Sequence, residues 1–110
     1  MLVARGDSMK RIPRCHQKIV EAILAAEDFY DRNREQAQRA ITARLGAEGL
    51  DPEIWKNIDF YTGLSATLLT LLNVQYNWYA PADTQSAFHP IKFLEPDLIA
   101  RVNPSKVTFR

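Results

Sequence analysis

The sequence contains a single cysteine, Cys15, so no disulfide can form within the chain. Histidine is also scarce: only His16 and His89 are present, and no HExxH, CxxC or paired-histidine spacing occurs. Because Cys15 and His16 are neighbours, their side chains point in different directions on a helix. The sequence therefore predicts no metal site, and we expect a buried thiol at Cys15 and a surface histidine at His16.

Long apolar runs and catalytic loops are missing as well. The longest apolar region, residues 64–72, is interrupted by Ser65, Thr67 and Thr70, and it is far shorter than the roughly 20 residues that span a bilayer. No apolar stretch follows the charged N-terminus, as a signal peptide would require. No G-x-S-x-G motif and no Gly-rich phosphate loop occurs. We expect a soluble chain without a membrane span, without a cofactor and without enzymatic activity.

Charge of one sign is not in excess over the whole chain, but it is unevenly distributed. Residues 1–18 contain five basic residues and one acid, Asp7, which gives a net charge of +4 there and −3 over the rest, for a total of +1. Nucleic-acid binding would need aromatic residues among these cations or a recognition-helix pattern, and neither is present. The sequence thus predicts no nucleic-acid partner.

The composition, 46% hydrophobic and 25% charged over 110 residues, is typical of one small folded domain. Residues 1–12 show no sustained period and predict a flexible basic arm, while residues 13–110 predict a single helical domain. Pro13 suits a first helical turn. The helix after it, about 18 residues long, has a predicted apolar stripe at steps of three and four: Cys15, Ile19, Ala22, Ile23, Ala26, Phe29 and Tyr30.

Capping residues predict the elements that follow. Asn33, with Gln36 three residues later, predicts a capping box for a second helix that stops at Gly46. Asp51 and Pro52 begin a short third helix, and Ser65 caps a fourth that ends before Pro81. Residues 80–94 predict a loop, Pro96 begins a last short helix, and residues 106–110 predict a short strand or an extended tail. The fold class is mainly α, with four to five helices and at most one short strand.

Two sets of side chains are candidates for a site. Glu27, Asp28 and Asp31 place three carboxylates close together, but no second cluster has matching spacing, and a solvated face is the favoured interpretation. Aromatic residues at helical spacing usually belong to a core or an interface. We expect a partner-binding surface among Trp55, Tyr76, Trp78 and Tyr79.

Five segments occur in the order found in one protein family. They are 18–30, a helix of alternating apolar residues; Asn33-Arg34-Glu35-Gln36-Ala37; Gly49-Leu50-Asp51-Pro52-Glu53; Gln75-Tyr76-Asn77-Trp78-Tyr79; and Val102-Asn103-Pro104-Ser105-Lys106-Val107. Over residues 12–109 the chain resembles the C-terminal part of the solute-binding proteins of ABC importers in the nitrate, sulfonate and taurine group, which includes thiamine-precursor-binding relatives. Arg34 replaces the proline of the family's Asn-Pro turn.

The resemblance implies the C-terminal helical part of a type II periplasmic-binding α/β fold, in a partial or truncated solute-binding protein. Its implied partners are a small anion or polar solute and an ABC permease. Its implied location is the periplasm or cell envelope. The location would instead be the cytoplasm if Met1 is the true start. No ligand-binding residue can be carried over, because that family forms its pocket largely from earlier parts of the chain. The alternative is a small helical protein-interaction module without a ligand, which would self-associate or capture a partner through exposed apolar faces.

Overall fold

The computed structural model describes residues 2–46, 51–81 and 88–109, and these residues are mainly helical, as the sequence predicted. Within them, the α-helices are α1 (Gly6–Arg11), α2 (Pro13–Arg32), α3 (Arg34–Leu45), α4 (Pro52–Lys56), α5 (Ala66–Tyr79) and α6 (Pro96–Ala100). The described residues also form two 3₁₀ turns, Pro90–Phe93 before α6 and Pro104–Lys106 after it. Gly49 and residues 82–87, which form the middle of the loop predicted at residues 80–94, lie outside the described residues.

Helix α1 lies where the sequence predicted a flexible arm, and it accounts for the sixth helix. Asp7 is in its first turn, and Lys10 and Arg11 are in its last turn. Each of these charges therefore interacts favourably with the helix dipole. His16 holds the corner between α1 and α2: its Nδ1 lies 3.0 Å from the carbonyl oxygen of Ile12, and its Nε2 lies 3.4 Å from the Ser8 hydroxyl. A lack of apolar periodicity therefore did not imply a lack of structure.

The chain divides into two compact units, Met1–Thr62 and Gly63–Arg110, where the sequence predicted one domain over residues 13–110. The division falls at Gly63, immediately after the segment that follows α4. We call these unit 1 and unit 2 and describe each by itself.

The buried side of α2 differs from the predicted stripe. Val20, Leu24, Glu27 and Tyr30 are buried, while Ile19 and Phe29 of the predicted stripe are exposed. The periodicity had two solutions, because α2 carries apolar residues on more than one side, and the stripe with more apolar residues was not the buried one. Contacts with other elements selected the buried side.

The core of unit 1 is an aromatic cluster around Tyr30. Tyr30 packs with Ala37 of α3 and Trp55 of α4, and Ile41 and Ile58 lie partly buried against them. The Tyr30 hydroxyl donates a hydrogen bond to the carbonyl oxygen of Ile58 at 3.2 Å. This bond satisfies the one polar atom of an otherwise apolar side chain.

An ion pair covers the edge of this core. The guanidinium of Arg34 donates to the carboxylate of Asp59 at 2.7 Å and lies 5.2 Å from the centre of the Tyr30 ring. The hydrogen bond to Asp59 raises the pKa of Arg34 above its ordinary value. The pair joins the start of α3 to the segment after α4.

The helix boundaries follow the predicted caps, with one exception. The Asp51 side chain accepts from the N–H of Glu53 at 2.9 Å, and Gly46 ends α3 with a φ of 88°. Asn33 lies between α2 and α3, but its side chain does not cap α3. It donates instead to the carbonyl oxygen of Phe29 at 3.3 Å, because this single residue ends one helix as it begins the next. The predicted capping box with Gln36 is therefore wrong.

In unit 2 the C-terminal segment returns to the start of the unit. Leu64 and Val107 form an isolated parallel bridge. The N–H of Leu64 donates to the carbonyl oxygen of Lys106 at 2.8 Å, and the N–H of Thr108 donates to the carbonyl oxygen of Leu64 at 2.9 Å. This bridge is the whole of the strand-like structure among the described residues. It lies within the segment for which a short strand or an extended tail was predicted.

Candidate interaction surface

Helix α5 packs along one side only. Ser65 begins it, with its hydroxyl oxygen accepting from the N–H of Leu68 at 3.2 Å, as the sequence predicted. The side that faces the rest of unit 2 is half-buried and contains Leu68, Leu69, Leu72 and Tyr76. The Tyr76 ring stacks on Phe88 with the ring centres 4.1 Å apart, so the packed side of α5 is fixed by this aromatic contact.

The other side of α5 is exposed, and large apolar side chains lie there among uncharged polar ones. Leu71, Val74 and Trp78 are 51%, 60% and 80% exposed, and their spacing of three and four residues places them on one face. Tyr79 is 80% exposed, and its ring centre lies 5.3 Å from that of Trp78. We call these four residues the α5 surface.

Two further properties distinguish α5 from an ordinary surface helix. None of its fourteen residues is charged, and none is buried. A helix in contact with water normally carries charged residues on its outer side, whereas a helix without them is normally covered. Helix α5 thus has the composition of a covered helix, although its outer side is exposed in this chain.

The four aromatic residues that the sequence grouped together differ in their exposure. Trp55 is 5% exposed and belongs to the core of unit 1, so it is not part of any exposed surface. Tyr76 is half-buried under Phe88, and of the four only Trp78 and Tyr79 are fully accessible. The prediction for Trp55 is therefore corrected: its side chain is covered by Tyr30 and Ala37, with which it forms the core of unit 1.

Two members of the α5 surface, Leu71 and Val74, were not predicted. Helix α5 carries apolar residues on both sides, so its period alone does not distinguish the exposed side from the packed one. A signal was available in the sequence: no charged residue occurs between Asp59 and Asp83. A segment of that length without charge is unusual for a helix exposed to water on its outer side.

The other candidate residues do not assemble into a reactive site. Glu27 is buried and bonded to the backbone of Thr62, while Asp28 pairs with Arg32 at 2.9 Å and Asp31 is exposed. The interpretation of all three as a solvated face is therefore wrong for Glu27. Within residues 2–46, 51–81 and 88–109, no three His, Cys, Asp or Glu side chains are grouped as a metal ion would require.

Cys15 and the two histidines also have definite places. Cys15 is exposed, where a buried thiol was expected, because it lies on the outer side of α2. His16 is half-buried at the corner of α1 and α2, and His89 is exposed before the 3₁₀ turn at Pro90–Phe93.

None of the helices in the part of the chain that the structure describes has both the length and the apolar composition needed to cross a bilayer.

Comparison with known proteins gives no relative. No protein-family model, no curated protein and no solved structure matches this chain. Its function must therefore be inferred from its own residues.

Proposed function

We propose that this chain is a helical protein-interaction module that associates through the α5 surface. The observation that supports the proposal is an uncharged helix with an exposed apolar face of four large side chains. Covering these side chains removes apolar area from water, which favours association. Tryptophan and tyrosine are the side chains most often found to dominate binding energy in interfaces.

The partner surface must also be apolar, and a second copy of the chain supplies one. Because α5 has no charge, two α5 helices can meet without repulsion between like charges. Helix α5 is about 21 Å long, so a contact between two such helices is smaller than a standard interface of roughly 800 Å² per partner. We expect self-association of the purified chain to be micromolar or weaker.

Sedimentation equilibrium over about 5 to 500 µM protein, which brackets a micromolar dissociation constant, tests this proposal. The wild type should shift from monomer towards dimer as its concentration rises. Val74→Glu places a charge in the centre of the α5 surface and should abolish the shift. Asn73→Glu is the matched control, since it adds the same charge one residue away, off that face, and should dimerise like the wild type.

Two results would overturn the proposal. One is a wild type that stays monomeric over the whole range and captures no partner protein that the Val74→Glu variant fails to capture. The other is equal loss of association in both variants, which would mean that charge anywhere on α5 disturbs the helix itself. Circular dichroism of each variant establishes that α5 is still formed.

Solute capture for an ABC importer stays a prediction from the five sequence segments. Two of these segments have a local structural role: Asp51 accepts from the N–H of Glu53 at 2.9 Å, and Asn103 accepts from the N–H of Ser105 at 3.1 Å. Such caps are needed in any helical protein, so these turns do not favour a transport role over the interaction module. Thermal unfolding with nitrate, taurine, alkanesulfonates and pyrimidines tests it, since a bound solute must raise the melting temperature.

A further inference from the structure

Unit 1 has a second exposed surface, of different chemistry, at its N-terminal end. It combines cationic and aliphatic side chains from α1, from the residues before it and from the first turns of α2. We call it the N-terminal surface, and it consists of Lys10, Arg11, Arg14, Val3, Ile12 and Ile19.

No acidic side chain among the described residues pairs with the three cations of this surface. The ion pairs among the described residues include Arg5 with Asp7 and Lys18 with Glu21, each at 3.0 Å, and none of them includes Lys10, Arg11 or Arg14. All three are exposed. Their charge is therefore available to an anionic partner.

The aliphatic members of the surface are also uncovered. Val3, Ile12 and Ile19 are 75%, 50% and 43% exposed. Ile12 is the junction between α1 and α2, with Arg11 directly before it and Arg14 two positions after it. In α2, Arg14 lies in the first turn and Ile19 lies in the second. Exposed cations and exposed aliphatic side chains therefore occur together within residues 3–19 of unit 1.

We infer that the N-terminal surface binds the surface of an anionic lipid bilayer. Phosphate head groups attract clustered Lys and Arg side chains, while aliphatic side chains next to them enter the boundary between head groups and acyl chains. A nucleic acid would use the cations but leave Val3, Ile12 and Ile19 in water. A protein partner is less well matched, because the surface has no aromatic anchor, in contrast to the α5 surface.

Co-sedimentation of the full chain with vesicles tests the inference. We expect binding to vesicles of phosphatidylcholine and phosphatidylglycerol in a ratio of about 3:1 at low salt, little binding to phosphatidylcholine alone, and release from the mixed vesicles at about 0.5 M NaCl. Neutralising all three cations should lower the partition coefficient by about 100-fold, at about fivefold for each charge; the variant is Lys10→Gln, Arg11→Gln, Arg14→Gln.

A matched control keeps the net charge of that variant but leaves the N-terminal surface intact. It replaces three arginines elsewhere in unit 1 and should bind the mixed vesicles nearly as well as the wild type: Arg32→Gln, Arg39→Gln, Arg44→Gln. A third variant keeps the charge and removes the aliphatic side chains, and it should bind more weakly than the wild type: Val3→Ser, Ile12→Ser, Ile19→Ser. Circular dichroism establishes that each variant is folded.

The inference is overturned if the wild type does not bind the mixed vesicles at low salt, or if the control loses as much binding as the first variant. It is overturned for lipid if soluble poly-glutamate competes with the vesicles at equal charge, since the surface would then select acidic chains. Equal binding by the wild type and the third variant would contradict the role of the aliphatic side chains. None of these results depends on the α5 surface.

Discussion

The Oε2 atom of Glu27 accepts a hydrogen bond from the backbone N–H of Thr62 at 2.6 Å. Glu27 is on the buried side of α2 with Val20 and Leu24, so this bond ties the last residue of unit 1 to the middle of its longest helix. A carboxylate that accepts from an N–H forms one of the stronger hydrogen bonds in proteins. One of the three carboxylates that the sequence predicted to form a solvated face is therefore a structural contact.

Glu27→Ala should lower the free energy of unfolding of unit 1 by about 1–3 kcal/mol, because it leaves the Thr62 N–H without this partner. Urea unfolding followed by the fluorescence of Trp55 measures it, in a Trp78→Phe background that leaves one tryptophan. Asp28→Ala is the control: its pair with Arg32 is exposed, and such pairs contribute about 0–1 kcal/mol. Equal losses in both variants would show that the Glu27 bond adds nothing.

Truncation of the two tryptophans should change the free energy of unfolding by very different amounts. Trp55→Ala removes a buried aromatic side chain from the cluster with Tyr30 and Ala37, and we expect a loss of about 3–5 kcal/mol in the unfolding of unit 1. Trp78→Ala should leave the stability of the dilute protein almost unchanged, since Trp78 is exposed. Urea unfolding followed by circular dichroism compares them. A larger loss for Trp78→Ala would place the wrong tryptophan in the core.

Ser65 and Asn33 have the same position at the start of a helix but not the same role. Ser65→Ala should destabilise α5 by about 1 kcal/mol, because the Ser65 hydroxyl accepts from the N–H of Leu68. Asn33→Ala should cost less, since its side chain donates backwards to Phe29 and leaves the first turn of α3 uncapped already. Thermal unfolding of the two variants tests the difference, and a larger loss for Asn33→Ala would contradict it.

Much of the helical framework could be predicted because it depends on local chemistry. Pro13, Asp51 and Ser65 begin helices, and Gly46 ends one, through contacts with residues a few positions away. Such contacts are present in the sequence itself. The capping box at Asn33 was wrong for a local reason too, because one residue there serves two helices.

The buried side of α2 and the role of Trp55 could not be predicted in this way. Both depend on which residues distant in sequence meet, such as Tyr30 with Ile58 and Glu27 with Thr62. Amphipathic periodicity gives a set of possible faces for a helix, and tertiary contacts choose among them. The same ambiguity hid the exposed face of α5, where apolar residues occur on both sides.

The most direct test of the α5 surface is the accessibility of Trp78 to acrylamide as a function of protein concentration. In a Trp55→Phe background, Trp78 is the single tryptophan, and its fluorescence should be quenched strongly in dilute protein because its side chain is 80% exposed. We predict that the quenching constant falls as the protein is concentrated, and that Val74→Glu abolishes the fall while Asn73→Glu does not. A quenching constant that stays high and independent of concentration, with no partner protein that lowers it, would contradict an interaction module that uses this surface.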